Sequence, residues 1–276
     1  LGDLYKRQEH PFTINFSRDD VRITTHYHAD MVASSLFSVI HEGGHALYEL
    51  HTGRELARSN LGTGVSMGIH ESQSRFYENI IGRSRAFCSI IYPWLKEHFA
   101  PRLDHVTEDD FYRMINKSEP SLIRTEADEL TYCLHIMVRY ELEKRMFDGS
   151  LTAHDLPAEW NRLYKEYLGI DVPDDRQGVL QDSHWANGNI GYFPSYAIGS
   201  AYGAQYLQEM SKDLDVDAVV RSGDLTPINN WLEDRIWKHG CMKDPVALFE
   251  SVCGKFDPAC YVAYLEKKFT EVYGLS

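Results

Sequence analysis

No apolar run of eighteen residues occurs anywhere in the 276-residue chain, so no stretch reads as a membrane-spanning helix. Basic residues are scarce. Lys and Arg total 28 against 41 Asp and Glu, a formal net charge of −13. That balance argues against nucleic acid or an anionic membrane surface as a partner. Cysteines are few and odd in number (Cys88, Cys133, Cys241, Cys253 and Cys260), and no CxxC pair occurs. They read as buried, reduced thiols of a cytoplasmic protein rather than a disulfide framework. Repeats, low-complexity tracts, a signal-peptide pattern and a clear linker are also missing. The expectation is therefore a single domain over 1–276. The first residue is Leu1 rather than Met, so the natural N-terminus is expected upstream.

What is present is mostly helical periodicity. Residues 12–16 (FTINF) and 21–25 (VRITT) are β-branched and alternating around SRDD, which predicts a hairpin. A helix is predicted from about Ala29 to His51, ending at Gly53. Residues 53–68 carry four glycines and read as a loop. A long helical pattern follows from about Ile69 to Phe99, with an interruption expected near Pro93. Helices are also predicted over 107–117, from Ser118 with Gly149 just past the end, and over 155–169. Residues 170–192 read as a long loop holding His184 and Trp185, and 193–276 as several helices. The fold class is mainly α with one small β element.

One of those helices contains VIHEGGHALYEL, residues 39–50. His41 and His45 are four apart and lie on one helix face, where both imidazoles can reach one metal ion. Glu42 is one step round and can face a water at that ion. Two neutral imidazoles and a carboxylate suit Zn²⁺ with one open position. The apolar surroundings (Val39, Ile40, Ala46, Leu47, Leu50) count against a merely solvated face, because buried histidines need partners. A third ligand is expected at the start of the next helix. Glu71 is favoured, with Glu78 as its rival on the same helix, and His70 is placed to support the site from behind. Gly43 and Gly44 admit close approach of backbone from another element, or of substrate.

Six motifs in order then carry a resemblance: HPF at His10–Phe12, D-x-R-x-T at Asp20–Thr24, HEGGH at 41–45, HESQ at 70–73, IRTEAD at 123–128 and G-x-x-Q-D-x-H-W at 178–185. The chain resembles the Taq-type metallocarboxypeptidases over at least residues 10–205. The resemblance implies a helical zincin-like fold with a long groove and the hairpin near the active site. It also implies a divalent cofactor (Zn²⁺, with Co²⁺ as the alternative), a peptide substrate shortened from its C-terminus, and a homodimer. It assigns His41, His45 and Glu71 as ligands and Glu42 as catalytic base. Members of that family are longer, so the sequence is expected to be a C-terminal half.

An exopeptidase must recognise a free carboxylate, and a guanidinium does so best. Arg124 is the first candidate, set in a helical run with Glu126 and Asp128 expected to orient it; Arg22 and Arg75 are the alternatives. Arg22 and Thr24 share one face of a strand whose edge can pair with an extended peptide. A neutral donor is expected at the developing oxyanion. His184, Tyr192 and Tyr196 supply candidates. A similar His–Tyr run in related helical oligopeptidases favours Tyr196 with His184, and Asp182 is expected either to orient His184 or to cap a turn. Two alternatives are an endo-oligopeptidase built on the same helix pair, and a metal-binding fragment without turnover.

Overall fold

The computed structural model describes residues 6–7, 11–27 and 31–275. Three strands come first: β1 (Lys6–Arg7), β2 (Thr13–Ser17) and β3 (Asp20–Thr25). Eleven helices follow among the described residues: α1 (Val32–Leu50), α2 (Met67–Arg75), α3 (Arg85–His98), α4 (Glu108–Ile115), α5 (Tyr132–Phe147), α6 (Leu156–Leu168), α7 (Pro194–Met210), α8 (Val216–Ser222), α9 (Thr226–Arg235), α10 (Pro245–Cys253) and α11 (Ala259–Tyr273). The chain divides into two compact units, Leu1–Ile115 with Gly199–Ser276, and Asn116–Ile198.

In the first unit β2 and β3 form the expected hairpin, with Thr13 opposite Ile23 and Ile14 opposite Arg22. The strand order β1-β3-β2 sets β3, the strand of Arg22 and Thr24 expected to offer its edge, between two neighbours and leaves β2 at an edge instead. The HPF motif is only partly in view, because His10 lies outside the described residues, as does Ala29. Helix α1, which carries HEGGH, has no side-chain cap, and its stability comes from packing, with Phe37, Gly44 and Tyr48 buried. The start of α2 is set by Ser66, whose side chain accepts from the Ile69 N–H. Phe76–Ile81 then widens into a π-helical turn, a feature common at functional sites.

The break expected at Pro93 falls instead at residues 82–84. Ser84 accepts from the Phe87 N–H and opens a new helix, and α3 runs straight through Pro93. Pro93 lies on the exposed side, where water can satisfy the carbonyl that its ring frees. The unit's core gathers Tyr48, Ile69, Phe76, Tyr206, Trp237 and Phe249. Each buried large apolar side chain contributes about 1.5–3 kcal/mol before entropy is counted.

In the second unit, α5 begins at Tyr132, not at Ser118. The Asp128 carboxylate accepts from Ser118 Oγ, Glu119 N, Leu130 N and Thr131 N, tying the chain into turns that compete with a helix. α6 ends at Gly169 with φ 73°, where glycine carries the left-handed cap without strain. Residues 170–193 carry turns but neither helix nor strand, as expected. Val138, Leu142, Trp160, Leu163 and Tyr164 form this unit's core.

Candidate metal centre

α1 and α2 bring the three expected ligands together. One donor atom from each of His41, His45 and Glu71 lies within 4.8 Å of the others. The Glu71 Oε2 is 3.5 Å from His45 Nε2 and 3.8 Å from His41 Nε2. Donors about 2.1 Å from a tetrahedral ion lie roughly 3.4 Å apart, so this spacing suits zinc or a similar ion after small adjustments.

The other ring nitrogens are engaged, which orients the donors. His41 Nδ1 is 2.8 Å from Glu78 Oε2, and His45 Nδ1 is 3.1 Å from His70 Nδ1. Glu78, the rival ligand in sequence, thus stands behind His41, in the π turn. Arg75 Nε donates to Glu71 Oε1 at 3.0 Å, leaving Oε2 toward the histidines. His70 is placed to support His45 from behind, as read from the sequence.

Burial alone would raise the Glu71 carboxyl. The charges of His41 and Arg75 outweigh it and hold the group ionised, far below the usual carboxylate range. Burial likewise opposes ionisation of Glu78, and Arg75 and His41 overcome it. Burial pushes His45 down. It acts on His41 in the same sense, but Glu71 and Glu78 reverse it and leave His41 raised. A cluster of ionised carboxylates facing imidazole nitrogens is the electrostatic profile a cation requires.

Glu42 is buried, and Thr13 Oγ1 of β2 donates to its Oε2 at 2.6 Å and lies 3.0 Å from its backbone carbonyl. Sequence reasoning missed Thr13, since nothing local links a strand residue to a helix 29 positions later. The two glycines differ. A Cβ on Gly44 would sit 2.6 Å from the Ser74 Cα, so this glycine exists for helix contact. A Cβ on Gly43 meets nothing within 4 Å. Gly199 is another close approach like Gly44: a Cβ there would sit 2.7 Å from the Glu71 Cβ. Arg22, on β3, is held by Asp20 through two bonds of 2.8 Å, and half of its side chain is exposed.

The second unit holds the remaining candidates. Arg124 is 5% exposed and sits on a 3₁₀ turn, Arg124–Glu126, rather than a helix. Its orienting partner is Asp182, not Glu126 or Asp128. Nε and Nη2 both donate to Asp182 Oδ1, at 3.0 and 2.8 Å, and Nη1 donates to the Tyr132 hydroxyl. Asp128 is occupied as a turn former, and Asp182 also receives Arg139 Nε at 2.7 Å. The IRTEAD and QD motifs therefore meet through an Arg–Asp–Arg clamp. Arg139 was not singled out in sequence, although a fully buried arginine needs such a partner. His184 Nε2 lies 3.1 Å from the Tyr196 hydroxyl, and the Tyr192 ring lies 5.5 Å from His184. The His–Tyr pairing is thus present as a contact.

Comparison with known proteins gives the family. The family model described as carboxypeptidase Taq (M32) metallopeptidase matches residues 4–269. Carboxypeptidase 1 of Bacillus subtilis is 45% identical over 96% of this chain and 53% of its own length. Thermostable carboxypeptidase 1 of Thermus thermophilus is 44% identical over 96% of this chain and 52% of its own. The crystal structure of the M32 carboxypeptidase from Deinococcus radiodurans superposes with a TM-score of 0.95 at 39% identity, covering 98% of this chain and 55% of that one. The chain spans about half the length of the curated relatives it matches. It belongs to the Taq carboxypeptidase (M32) family of metallopeptidases.

Proposed function

We propose that the chain carries the metal centre and general base of a carboxypeptidase that releases C-terminal residues from peptides. The observation that carries this reading is the cluster of His41, His45 and Glu71 donors beside Glu42. A divalent ion, zinc or cobalt, would be held by these three side chains; it would lower the pKa of water and polarise a carbonyl there. Glu42 takes the proton from the attacking water and later delivers it to the leaving amine. Thr13 holds the Glu42 carboxylate in one orientation by donating to Oε2. Among the described residues β2, which carries Thr13, is an edge strand, and such an edge suits pairing with an extended peptide backbone.

For the second unit, the proposal keeps the roles read from the motifs. Arg124 recognises the substrate carboxylate, oriented by Asp182, with Arg22 as the alternative partner. Tyr196, with His184 behind it, donates a neutral hydrogen bond to the oxyanion, and Tyr192 lines the substrate path. A homodimer and a cytoplasmic setting complete the reading; among the described residues no helix is long and apolar enough to cross a membrane.

The test is metal stoichiometry paired with hydrolysis of a blocked dipeptide. One zinc per chain, abolished by His45→Ala and Glu71→Ala, with turnover of a free-acid peptide, is the expected result. Full occupancy in both variants would refute the ligand set. Equal cleavage of amidated and free-acid peptides would favour the endo-oligopeptidase.

A further inference from the structure

Glu49 stands one turn beyond His45 on α1 and is 4% exposed. A carboxylate so buried needs donors, and this one has a full set. Its Oε1 accepts from Thr63 Oγ1 at 2.8 Å and Gly64 N at 3.0 Å, and lies 2.6 Å from His70 Nε2. Its Oε2 accepts from Asn15 Nδ2 of β2 at 2.7 Å. His70 is confined on two further sides. The Tyr48 ring centroid is 4.8 Å from its own, and a Cβ on Gly64 would come within 2.4 Å of its Nε2. Glu49, His70 and His45 therefore form a fixed chain of three groups.

That chain has one self-consistent arrangement of hydrogens when both rings are neutral. An ionised carboxylate offers only acceptors, so the hydrogen between Glu49 and His70 is on His70 Nε2. A neutral His70 then presents a bare Nδ1. The hydrogen between the two rings must sit on His45 Nδ1, and His45 Nε2 is left as a lone pair, 3.5 Å from Glu71 Oε2. We propose that Glu49 is a positioning residue that sets the tautomer and ring orientation of His45 through His70. The proposal rests on the metal reading above; the hydrogen arrangement itself belongs to the metal-free protein as well. Outer partners of metal-bound histidines typically change affinity 10- to 100-fold.

The probe is Zn²⁺ alone, competed against a chelator, with ¹⁵N spectra of the histidine rings in the metal-free protein. Wild type should carry the His45 hydrogen on Nδ1. Glu49→Gln should weaken zinc about 10- to 100-fold and mix the His45 tautomers. Asn15→Ala, which removes the Oε2 contact and a longer one of 3.3 Å to Thr63 Oγ1 but leaves the His70 bond in place, should keep near-wild-type affinity. His70→Gln retains a donor toward Glu49 and an acceptor toward His45, so it should bind zinc more tightly than His70→Leu. This pair decides the matter if Glu49→Gln does not fold. A wild-type His45 with its hydrogen on Nε2, a folded Glu49→Gln with unchanged affinity, or equal affinities for the two His70 variants would each overturn the proposal. Absence of zinc binding in wild type would fail the metal reading instead, leaving the ring spectra to judge the relay.

Discussion

Gly44 of α1 and Ser74 of α2 touch through their backbones: a methyl group on Gly44 would lie 2.6 Å from the Ser74 Cα and 2.7 Å from the Gln73 carbonyl oxygen. Backbone cannot yield as a flexible side chain does, so this contact sets how near the histidine-bearing helix comes to Glu71.

The two motif glycines should therefore respond in opposite ways to alanine. Gly44→Ala forces the helices apart and is expected to cost about 1–3 kcal/mol, as overpacking does, and to weaken metal binding. Gly43→Ala meets open space and gains helix propensity of about 0.5–1 kcal/mol. Denaturant melts of both variants measure this; similar changes in the two would refute the assigned contact.

Glu42→Gln should retain the metal and lose about 10²–10⁴-fold in kcat, the usual contribution of a general base. Thr13→Val removes the donor to Glu42 Oε2 and should lower kcat by a smaller factor with little change in KM. Near-normal turnover in Glu42→Gln would remove it from the base role.

Arg124→Ala removes a charge-assisted contact worth about 1.5–3 kcal/mol, or roughly 10- to 150-fold in kcat/KM on a free-acid peptide, while an amidated peptide is spared. Paired kinetics on one peptide with the two ends provide the check. Because Asp182 holds the same guanidinium, a fall in both rates together with a lowered melting temperature would assign Arg124 to the clamp alone.

His135 gives the second unit an acid-sensitive point. It is fully buried, and burial, with Arg139 and Arg124 nearby, pushes its pKa down to about 3. The unfolded chain takes up a proton near pH 6.5 that the folded unit refuses, so this stability is present above about 6.5 and is lost as pH falls toward 3. The slope contributed by one proton is at most about 1.4 kcal/mol per pH unit. His135→Gln should flatten that limb of the stability profile; an unchanged acid slope would contradict it.

The cluster of His41, His45 and Glu71 was legible in sequence because its spacing is local. His41 and His45 are one turn apart, and Glu71 opens the next helix. The hairpin and the irregular 170–192 region were legible for the same reason: short patterns of β-branched residues or glycines. Failures came where distant groups decide the local form. The Ser118–Thr131 stretch looked helical, but Asp128 draws its donors into turns. The partner of Arg124 lies 58 positions away in another motif, so nearer acids in the same run were the natural but mistaken choice. Pro93 marks a break by its local chemistry alone, whereas the exposed side of α3 that tolerates it is set by tertiary packing.

The donors His41, His45 and Glu71, with Glu49, His70 and Arg75 around them, all stand on two consecutive helices joined by one loop. Loop-closure entropy grows only slowly with length, and a pair this near in sequence pays little of it. In kinetic terms the donor cluster is largely local, with β2 and Gly199 of α7 as its remote supports. The expected consequence is that an added divalent ion orders α1 and α2 before helices α8 to α11 dock. Metal-dependent early protection of α1 and α2 amides in pulsed hydrogen exchange is the signature that order of events would leave.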